Sequence, residues 1–449
     1  MTRPPLVGRA VERAGFGTAL ARCWAGHGGL VSVSGDAGMG KSRLVAEVLA
    51  DWRGGVLRGA SVPGDNAYAP VVDVLRQVRQ AYGEGALPPP ARALLPELSI
   101  PWRGIDQRTL VAAIQATLRD VARQRPTVVV LEDLHWANAA AVELVPGLAA
   151  ALAGEAALCI VTYRGEELPR SHPVRAMRAE LRRTGGFVEY PLAPLTVEQT
   201  GELVATILGA GVSPELVAAV HERAGGVPFF VEELAAGLAP DRTPGRAGDT
   251  RLPLPESVVD AVLVRTAGLR QRAGEAVEVA AVSGQRVDLA VLADLTAPAE
   301  VDRLLESGLL REHDDGTAVF RHALVRDALY RTVPWGRRRA LHRRVAERLA
   351  DRGGPPELIA EHWVGAQQPE RARPLLLAAA ERHCAVHAYR DAAALGRRAL
   401  ALWPDGADPG GRLTALESLA HCAELCGELD AAVTVWTEVA ECSHAAGEV

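Results

Sequence analysis

The chain has 449 residues, enough for about three domains. Its apolar share of 48% and charged share of 23% exclude a largely disordered, collagen-like or disulfide-stapled chain. No apolar run reaches the ~18 residues that span a bilayer, and no signal-peptide core follows Met1. The six cysteines are too few for a disulfide framework. We therefore expect a cytoplasmic protein without a membrane partner.

The charged residues give a second indication of function. The net charge of −6 lacks the basic excess expected of a nucleic-acid-binding chain. Of the 49 basic residues, 48 are arginines and one, Lys41, is a lysine. An ammonium is a compact point charge, whereas a guanidinium is a wide planar fork. Lys41 therefore marks a position with its own chemistry.

A phosphate-binding loop surrounds this lysine. Residues 35–42 read GDAGMGKS and fit the pattern G-x-x-x-x-G-K-[ST], between a β-prone run at 29–34 and a helical pattern at 43–50. Backbone N–H groups of such a loop cradle phosphates at a helix N-terminus. The lysine would reach the β- and γ-phosphates, and the serine hydroxyl would ligate Mg²⁺. We predict a nucleotide site that includes Gly35, Asp36, Ala37, Gly38, Met39, Gly40, Lys41, Ser42 and Arg43.

An acidic pair follows a second apolar run. Residues 126–133, PTVVVLED, are typical of a strand buried in a parallel sheet, and they end in Glu132 and Asp133. The carboxyl ends of such strands line the ligand site. One acid would hold Mg²⁺, which we assign to Glu132, and the other would polarise the attacking water. The reverse assignment stays open, as does a capped strand end with two solvated acids.

Three further runs complete a predicted five-stranded sheet. Residues 157–164 end in Arg164, which would sense the γ-phosphate or, alternatively, pair with Glu166 or Glu167. The other two runs lie at 56–62 and 186–190. Helical stretches separate most of the strands, as expected for a wound α/β sheet, and lie around 71–82, 107–124, 138–153 and 173–183.

The first ~335 residues resemble the signal-transducing ATPase module of the STAND class, found in the large ATP-binding LuxR-type bacterial regulators. Five segments carry the resemblance: LVGRAVER at 6–13, LEDLHWAN at 131–138, TYR at 162–164, AGGVPF at 224–229 and FRHALVRD at 320–327. The resemblance implies an AAA-type P-loop core, a helical lid and a winged-helix domain, with ATP or ADP and Mg²⁺ as cofactors.

The resemblance also implies roles for single residues. Backbone contacts at Gly8 and Arg9 would hold the adenine, and Pro228 of the lid would pack on the base. His322 would read the β-phosphate, and Arg164 would be the sensor arginine. The residues alone instead favour a helix-start proline at Pro228 and a core or helix-capping histidine at His322.

Two positions depart from the family pattern. The family commonly has aspartate at the first acidic position, where this chain has Glu132, and at the position of Asn138. The extra methylene of Glu132 changes the reach toward the metal. We therefore expect slow hydrolysis, with nucleotide occupancy rather than turnover carrying the signal.

The middle of the chain is predominantly helical. Residues 191–237 have helical patterns with caps at Thr196 and Ser213, and the loop-like stretch 239–253 is the best boundary. Helices and a hairpin at Asp315-Gly316 fill 255–334 and indicate a winged helix. The acidic hairpin tip Asp314-Asp315 disfavours DNA contact.

The C-terminal part repeats a helical pattern. Residues 337–344 are a basic helix face opposite inward-facing Leu341, Val345 and Leu349, with DNA contact as the alternative. The pattern of Tyr389, Ala392, Leu395 and Ala399 recurs forty residues later at Leu429, Ala432, Val435 and Val439. This period favours tetratricopeptide-like repeats with a partner-binding surface. We expect the array to stop short of completion at residue 449. No C-x₂-C spacing supports zinc, so we assign packing roles to Cys384, Cys422, Cys426 and Cys442.

The predicted domains are a nucleotide-binding α/β domain at 1–190, a lid at 191–245, a winged helix at 246–335 and repeats at 336–449. We expect an ATP-binding regulatory switch that is a closed monomer with ADP and a homo-oligomer with ATP. A protein or small-molecule inducer would act at the repeats, and DNA would be reached only through a helix-turn-helix outside this sequence. The alternatives are a P-loop ATPase or kinase with sustained turnover, and an origin-recognition-type DNA-binding ATPase.

Overall fold

The computed structural model describes residues 5–63, 66–98, 105–165, 168–169, 171–185, 187–209, 211–238, 258–313, 315–320 and 322–446. Its N-terminal part is a wound α/β unit with five parallel strands in the spatial order β2-β3-β4-β1-β5. The strands are β1 (Gly29–Ser34), β2 (Gly55–Ala60), β3 (Thr127–Glu132), β4 (Ala157–Tyr163) and β5 (Phe187–Pro191). The five predicted strands are confirmed, although Gly186 of the last one lies outside the described residues.

Helices cover both faces of this sheet. The helices are α1 (Ala10–Trp24), α2 (Lys41–Val48), α3 (Ala69–Tyr82), α4 (Pro89–Ala93), α5 (Gln107–Gln124), α6 (Ala139–Leu152) and α7 (Pro173–Thr184). One sheet face packs on α1 and α2, and the other packs on α3 to α7. Alternate residues of each strand enter the two cores, for example Val128 and Val129 of β3. Burial on both faces explains why the strands are continuous apolar runs.

Three helices follow the sheet and form a small core of their own: α8 (Val197–Leu208), α9 (Pro214–Ala224) and α10 (Pro228–Gly237). The predicted caps are confirmed. The Thr196 side chain accepts a hydrogen bond from the backbone N–H of Gln199, whose side chain bonds back to Thr196, and Ser213 caps α9. The predicted boundary at 239–253 lies outside the described residues.

The next unit surrounds a small antiparallel sheet with the strand order β6-β8-β7. Its elements are α11 (Val258–Ser283), β6 (Arg286–Asp288), α12 (Leu289–Leu295), α13 (Pro298–Glu306), β7 (Leu310–Glu312), β8 (Thr317–Phe320) and α14 (Ala323–Thr332). The predicted hairpin joins β7 to β8, with Gly316 at φ +77°, whereas Asp314 of its tip lies outside the described residues. Helix α11 is broken at Ala273, whose φ of −148° and ψ of 40° are not helical.

Six helices complete the chain, each packed on the next: α15 (Trp335–Asp351), α16 (Pro356–Gly365), α17 (Pro369–Ala385), α18 (Tyr389–Ala401), α19 (Pro409–Leu425) and α20 (Leu429–Ala446). The predicted inward-facing residues of α15 are buried. Among the residues of the forty-residue pattern, Ala392, Ala399, Ala432 and Val439 are buried, whereas Leu429 is 61% exposed. Within the described part of the chain, no helix has the length and apolarity to cross a membrane.

Candidate nucleotide-binding site

The predicted phosphate loop connects β1 to α2. Gly35, Gly38 and Gly40 have φ of +148°, +84° and +87°, a region that side chains with a Cβ rarely adopt. Helix α2 begins at Lys41, directly after the last of these glycines. The loop therefore ends at a helix N-terminus, as anion binding requires.

Lys41 lies inside the loop. Its ammonium donates to the carbonyl oxygens of Gly35 at 2.8 Å and Asp36 at 3.0 Å, and the side chain is buried. Burial lowers the pKa of Lys41, the charge of Asp133 opposes this, and Arg164 lowers the pKa further. The charge of Lys41 thus interacts with Asp133 and Arg164, the groups that were predicted to follow two of the strands.

The two acids at the end of β3 have different surroundings. A carboxylate oxygen of Glu132 lies 3.4 Å from Nη1 of Arg58, on the neighbouring strand β2. Asp133 has a left-handed backbone with φ +56°, and its N–H donates to Oγ1 of Thr162 at 2.8 Å. Burial raises the pKa of Asp133 to about 6, an effect that Lys41 opposes and Glu132 reinforces. Asp133 is therefore the strand-end carboxylate whose charge acts on the loop lysine.

Aromatic and imidazole rings surround this acid. The guanidinium of Arg164 lies 5.2 Å from the ring centroid of Trp136, a cation–π contact. Glu166 and Glu167, the alternative partners of Arg164, lie outside the described residues. His135 has neither ring nitrogen hydrogen-bonded within the described structure, and its Nδ1 is 3.9 Å from Asp133. Burial and the charge of Arg164 lower the pKa of His135 to about 3, so this ring is neutral.

The phosphate loop is also covered by α10. The N–H of Phe229 donates to the carbonyl oxygen of Gly38 at 3.2 Å. A Cβ at Gly38 would lie 3.0 Å from side-chain atoms of Phe229 and Val227 and 3.6 Å from Leu324 of α14. Arg43 of α2 forms an ion pair with Glu232 of α10. Two separate helical units thus touch the same loop.

Two residues predicted from the resemblance lie at this junction. Pro228 occupies the first turn of α10. His322 precedes α14 at its N-cap position, although its side chain makes no capping hydrogen bond. Its ring lies 4.2 Å from the ring of Phe229, centroid to centroid. The structure therefore brings His322 close to the phosphate loop through a single intervening ring.

The N-terminal segment closes the other side of the loop. Gly8 has φ +70°, and a Cβ there would lie 2.7 Å from the side chain of Gln199 in α8. The buried guanidinium of Arg9 donates to the carbonyl oxygens of Ala193 at 2.7 Å and Met39 at 3.4 Å. Arg9 thereby connects the phosphate loop to the segment that leads into α8.

The oxygen donors at the loop fit a magnesium ion. Ser42 is exposed in the first turn of α2, and Glu132 and Asp133 lie at the carboxyl end of β3, which β4 separates from β1 in the sheet. Oδ1 of Asp36 is buried and has no hydrogen-bond partner among the described residues. Hydroxyl and carboxylate oxygens are the ligands that Mg²⁺ prefers. Ser42 with Glu132 or Asp133 would hold the ion.

Four contacting residues were not predicted from the sequence: Arg58, His135, Phe229 and Glu232. Their roles depend on partners between 2 and 191 residues away, and only His135 and Phe229 lie in the segments that carry the family resemblance. The position of a charge next to a glycine-rich loop has no local sequence pattern. For Arg58, the alternation of a charged residue within an apolar strand was the available signal.

Comparison with known families supports the chemistry of this loop. Residues 5–161 match the AAA ATPase domain family, and residues 196–242 match a domain of unknown function. An uncharacterized protein of Rhizobium meliloti (strain 1021) is 27% identical over 440 residues, covering 84% of this chain and 40% of that protein. The chain thus spans less than half the length of this curated relative.

Two solved structures are also similar. A STAND protein with a tetratricopeptide repeat sensor from Pyrococcus horikoshii has a TM-score of 0.52 at 14% identity, over 99% of this chain and 66% of that chain. The Walker-type ATPase of Pyrococcus abyssi has a TM-score of 0.37 at 14% identity, over 73% of this chain and 99% of that chain. The first of these likenesses extends the similarity in fold beyond the ATPase domain, whereas the second is too weak to carry an argument.

Proposed function

We propose, from the premise that residues 5–161 are an AAA-type P-loop ATPase domain, that this chain is an ATP-binding regulatory switch of the STAND type. One observation carries the proposal. The phosphate loop touches α10 through the Phe229–Gly38 hydrogen bond, and Phe229 in turn contacts His322 before α14. A nucleotide at this loop would therefore act on three units of the chain.

The bound nucleotide would be held by the residues already described. The N–H groups of residues 35–41 and the ammonium of Lys41 would bind the phosphates, after Lys41 releases the carbonyl oxygens of Gly35 and Asp36. Gly8, Arg9 and Pro228 would border the base, and His322 would meet the β-phosphate. Mg²⁺, when bound, neutralises phosphate charge as the terminal phosphate leaves.

Hydrolysis is proposed to be slow. Glu132 pairs with Arg58, and its side chain is one methylene longer than the aspartate that is common at this position in the family, which changes its reach toward the metal. Arg164, stacked on Trp136, would stabilise charge at the γ-phosphate.

The switch itself would be a change in how α10 and α14 contact the loop. Adding a γ-phosphate requires space next to Gly38, where Phe229 and Val227 now approach the backbone closely. A ligand shifts such an equilibrium only by its difference in affinity for the two states, about 5 kcal/mol for a nearly complete change. The Arg43–Glu232 pair would resist opening.

The remaining elements extend the proposal. The unit from α11 to α14 is proposed as a winged helix with a nucleotide-sensing role, and α15 to α20 as tetratricopeptide-like repeats that receive a protein or small-molecule inducer. The resemblance to LuxR-type regulators makes transcription the proposed output, with the ATP-bound state self-associating. Cytoplasmic location follows from this role and is part of the proposal.

ATP turnover and assembly of the purified chain test the proposal, with Lys41→Ala as the blank. We expect turnover hundreds of times below the ~10 s⁻¹ enzyme median, because occupancy carries the signal. We also expect MgATP, but not MgADP, to increase the molar mass measured by light scattering. Lys41→Ala should abolish both nucleotide binding and assembly. Rapid turnover without assembly would instead indicate a working ATPase or kinase.

A further inference from the structure

The N-terminus of α6 receives its hydrogen bonds from a distant part of the chain. The carboxylate of Asp391, in α18, accepts from the backbone N–H of Ala139 at 2.9 Å and of Ala140 at 3.1 Å. These are the first two residues of α6, whose N–H groups have no partner within the helix. The local N-cap residue, Asn138, makes no side-chain capping bond. Asp391 therefore provides the cap in its place.

Further contacts lie beside this cap. At the surface, Nε of Arg390 pairs with Glu143 of α6 at 3.1 Å and its Nη1 pairs with Glu428 at 3.0 Å. Nε2 of His387 donates to the carbonyl oxygen of Ile105 at 2.6 Å, and Ala388 is buried in the core of the α/β unit. The turn between α17 and α18 is thus docked on the face formed by α5 and α6.

Opposing effects act on the carboxylate at this cap. Burial raises the pKa of Asp391, and the two backbone hydrogen bonds from Ala140 and Ala139 counteract part of that increase. The positive end of the α6 dipole also favours a negative charge at this position. The hydrogen bonds to the α6 terminus, rather than an altered pKa, are therefore what Asp391 contributes.

The capped helix begins where the acidic loop of the nucleotide site ends. Only residues 133–138 separate the strand β3 from α6, and they include one short 3₁₀ turn at Leu134–Trp136. At the start of this loop, the backbone N–H of Asp133 donates a hydrogen bond to Oγ1 of Thr162. The carbonyl oxygen of His135 in its middle accepts from Nε2 of His172 at 3.1 Å. A loop this short transmits a displacement of the α6 terminus to Asp133.

We infer that Asp391 is a positioning residue of the nucleotide site, which couples docking of α18 to Mg²⁺-dependent nucleotide binding by holding the α6 terminus and the acidic loop. This inference rests on the proposed function, because it assigns the contact through which the repeat helices act on that site. Coupling of this kind is reciprocal, so MgATP must also change the docking of α18.

The test uses the full chain and four proteins: wild type, Asp391→Ala, Asp391→Asn and Arg390→Ala. The Arg390→Ala variant leaves the cap in place and removes ion pairs of an exposed side chain, which contribute little to docking. Hydrogen exchange without nucleotide should accelerate about fivefold at residues 139–142 in Asp391→Ala, which corresponds to about 1 kcal/mol. Asp391→Asn, which retains one acceptor oxygen, should show a smaller increase, and Arg390→Ala little change.

The second measurement is the affinity for a fluorescent MANT-ATP probe with and without Mg²⁺. Asp391→Ala should weaken binding about fivefold in Mg²⁺ and leave Mg²⁺-free binding unchanged, and Asp391→Asn should restore part of the loss. A merely structural role would weaken both conditions alike and would overturn the inference, as would an equal Mg²⁺-specific loss in Arg390→Ala. If Asp391→Ala does not fold, Asp391→Asn is compared with Arg390→Ala by the same two measurements, hydrogen exchange and MANT-ATP affinity, and a Mg²⁺-specific loss in Asp391→Asn alone supports the inference.

The two proposals can fail separately. If wild type binds no MANT-ATP and Lys41→Ala is indistinguishable from it, the proposed function is wrong and the coupling falls with it. If wild type binds MANT-ATP and the Asp391 variants lose protection at residues 139–142 without a change in Mg²⁺-dependent affinity, only the coupling is wrong.

Discussion

Two glycines of the phosphate loop differ in their surroundings but not in their backbone. Gly38 and Gly40 have φ of +84° and +87°. A Cβ at Gly38 would press on Phe229 and Val227, whereas a Cβ at Gly40 would have nothing within 4 Å. The pair therefore separates backbone strain from contact with α10.

We expect Gly40→Ala to lower the free energy of unfolding by about 1 kcal/mol, the cost of a left-handed alanine. Gly38→Ala should cost about 1 kcal/mol more, because α10 must also move. Urea unfolding of the two variants measures the difference. Equal losses would show that the contact between the loop and α10 contributes nothing to stability.

For single residues, the sequence predicted the features that depend only on neighbours along the chain. The phosphate loop was predictable because its glycines, Lys41 and Ser42 occupy fixed spacings that the loop geometry requires. The partners of Glu132 and of Arg43 were not, because Arg58 and Glu232 lie 74 and 189 residues away in the sequence. No spacing rule connects a helix-surface glutamate with an arginine in another unit.

Among the helices, the break in α11 has a specific consequence. At Ala273 the helical hydrogen bonds are interrupted, and the second segment begins with N–H groups that need partners. Oε2 of Glu300 in α13 accepts from the N–H of Ala276 at 3.0 Å. A side chain of a neighbouring helix thus caps the second segment.

Glu300→Ala should lower the free energy of unfolding by about 1 kcal/mol, the usual contribution of an N-cap. Glu300→Gln should lose less, since an amide oxygen still accepts. Asp302→Ala, at an exposed position of the same helix, is the matched control and should change stability little. Equal urea midpoints for Glu300→Ala and Asp302→Ala would contradict the capping role.

The elements themselves were largely predictable, and their arrangement was not. Apolar runs predicted all five strands, and amphipathic stretches predicted α3, α5, α6 and α7 to within a few residues. The strand order β2-β3-β4-β1-β5 has no counterpart in the sequence, because parallel strands of similar composition can be placed in several orders. The exposed Leu429 shows the same limit, since it shares the forty-residue pattern with residues that are buried.

Across the whole molecule, a buried histidine pair connects α14, α15 and α16. Nδ1 of His342 lies 2.9 Å from Nδ1 of His362, and Nε2 of His342 lies 3.0 Å from the hydroxyl of Tyr330. Burial and the charges of Arg326 and Arg338 lower the pKa of His342 to about 4. Burial, His342 and Arg326 lower the pKa of His362 to about 3. Both rings are therefore neutral in the folded chain.

This pair predicts acid-sensitive stability. The pKa values of both histidines in the folded chain lie below the usual 6.5. The two neutral rings therefore make their full contribution to the free energy of unfolding above pH 6.5, and this contribution is lost as the pH falls toward 4. Each histidine should remove about 1.4 kcal/mol per pH unit in that window. Urea unfolding between pH 7 and 5 measures the total slope, from which His342→Gln should remove about 1.4 kcal/mol per pH unit. The exposed His444→Gln is the control, and an unchanged slope in His342→Gln would contradict the assignment.

The cap that Asp391 places on α6 spans 252 residues of sequence. Contacts of such separation form late, because the ends of a long segment must be brought together before any bond compensates the lost chain entropy. During synthesis, the α/β unit leaves the ribosome and folds first, with the first turn of α6 still lacking its hydrogen-bond acceptor. The unit that binds ATP thus reaches its final form only after α18 has been made. Completion of the α6 terminus therefore depends on the C-terminal helices, although the rest of the α/β unit can fold before them.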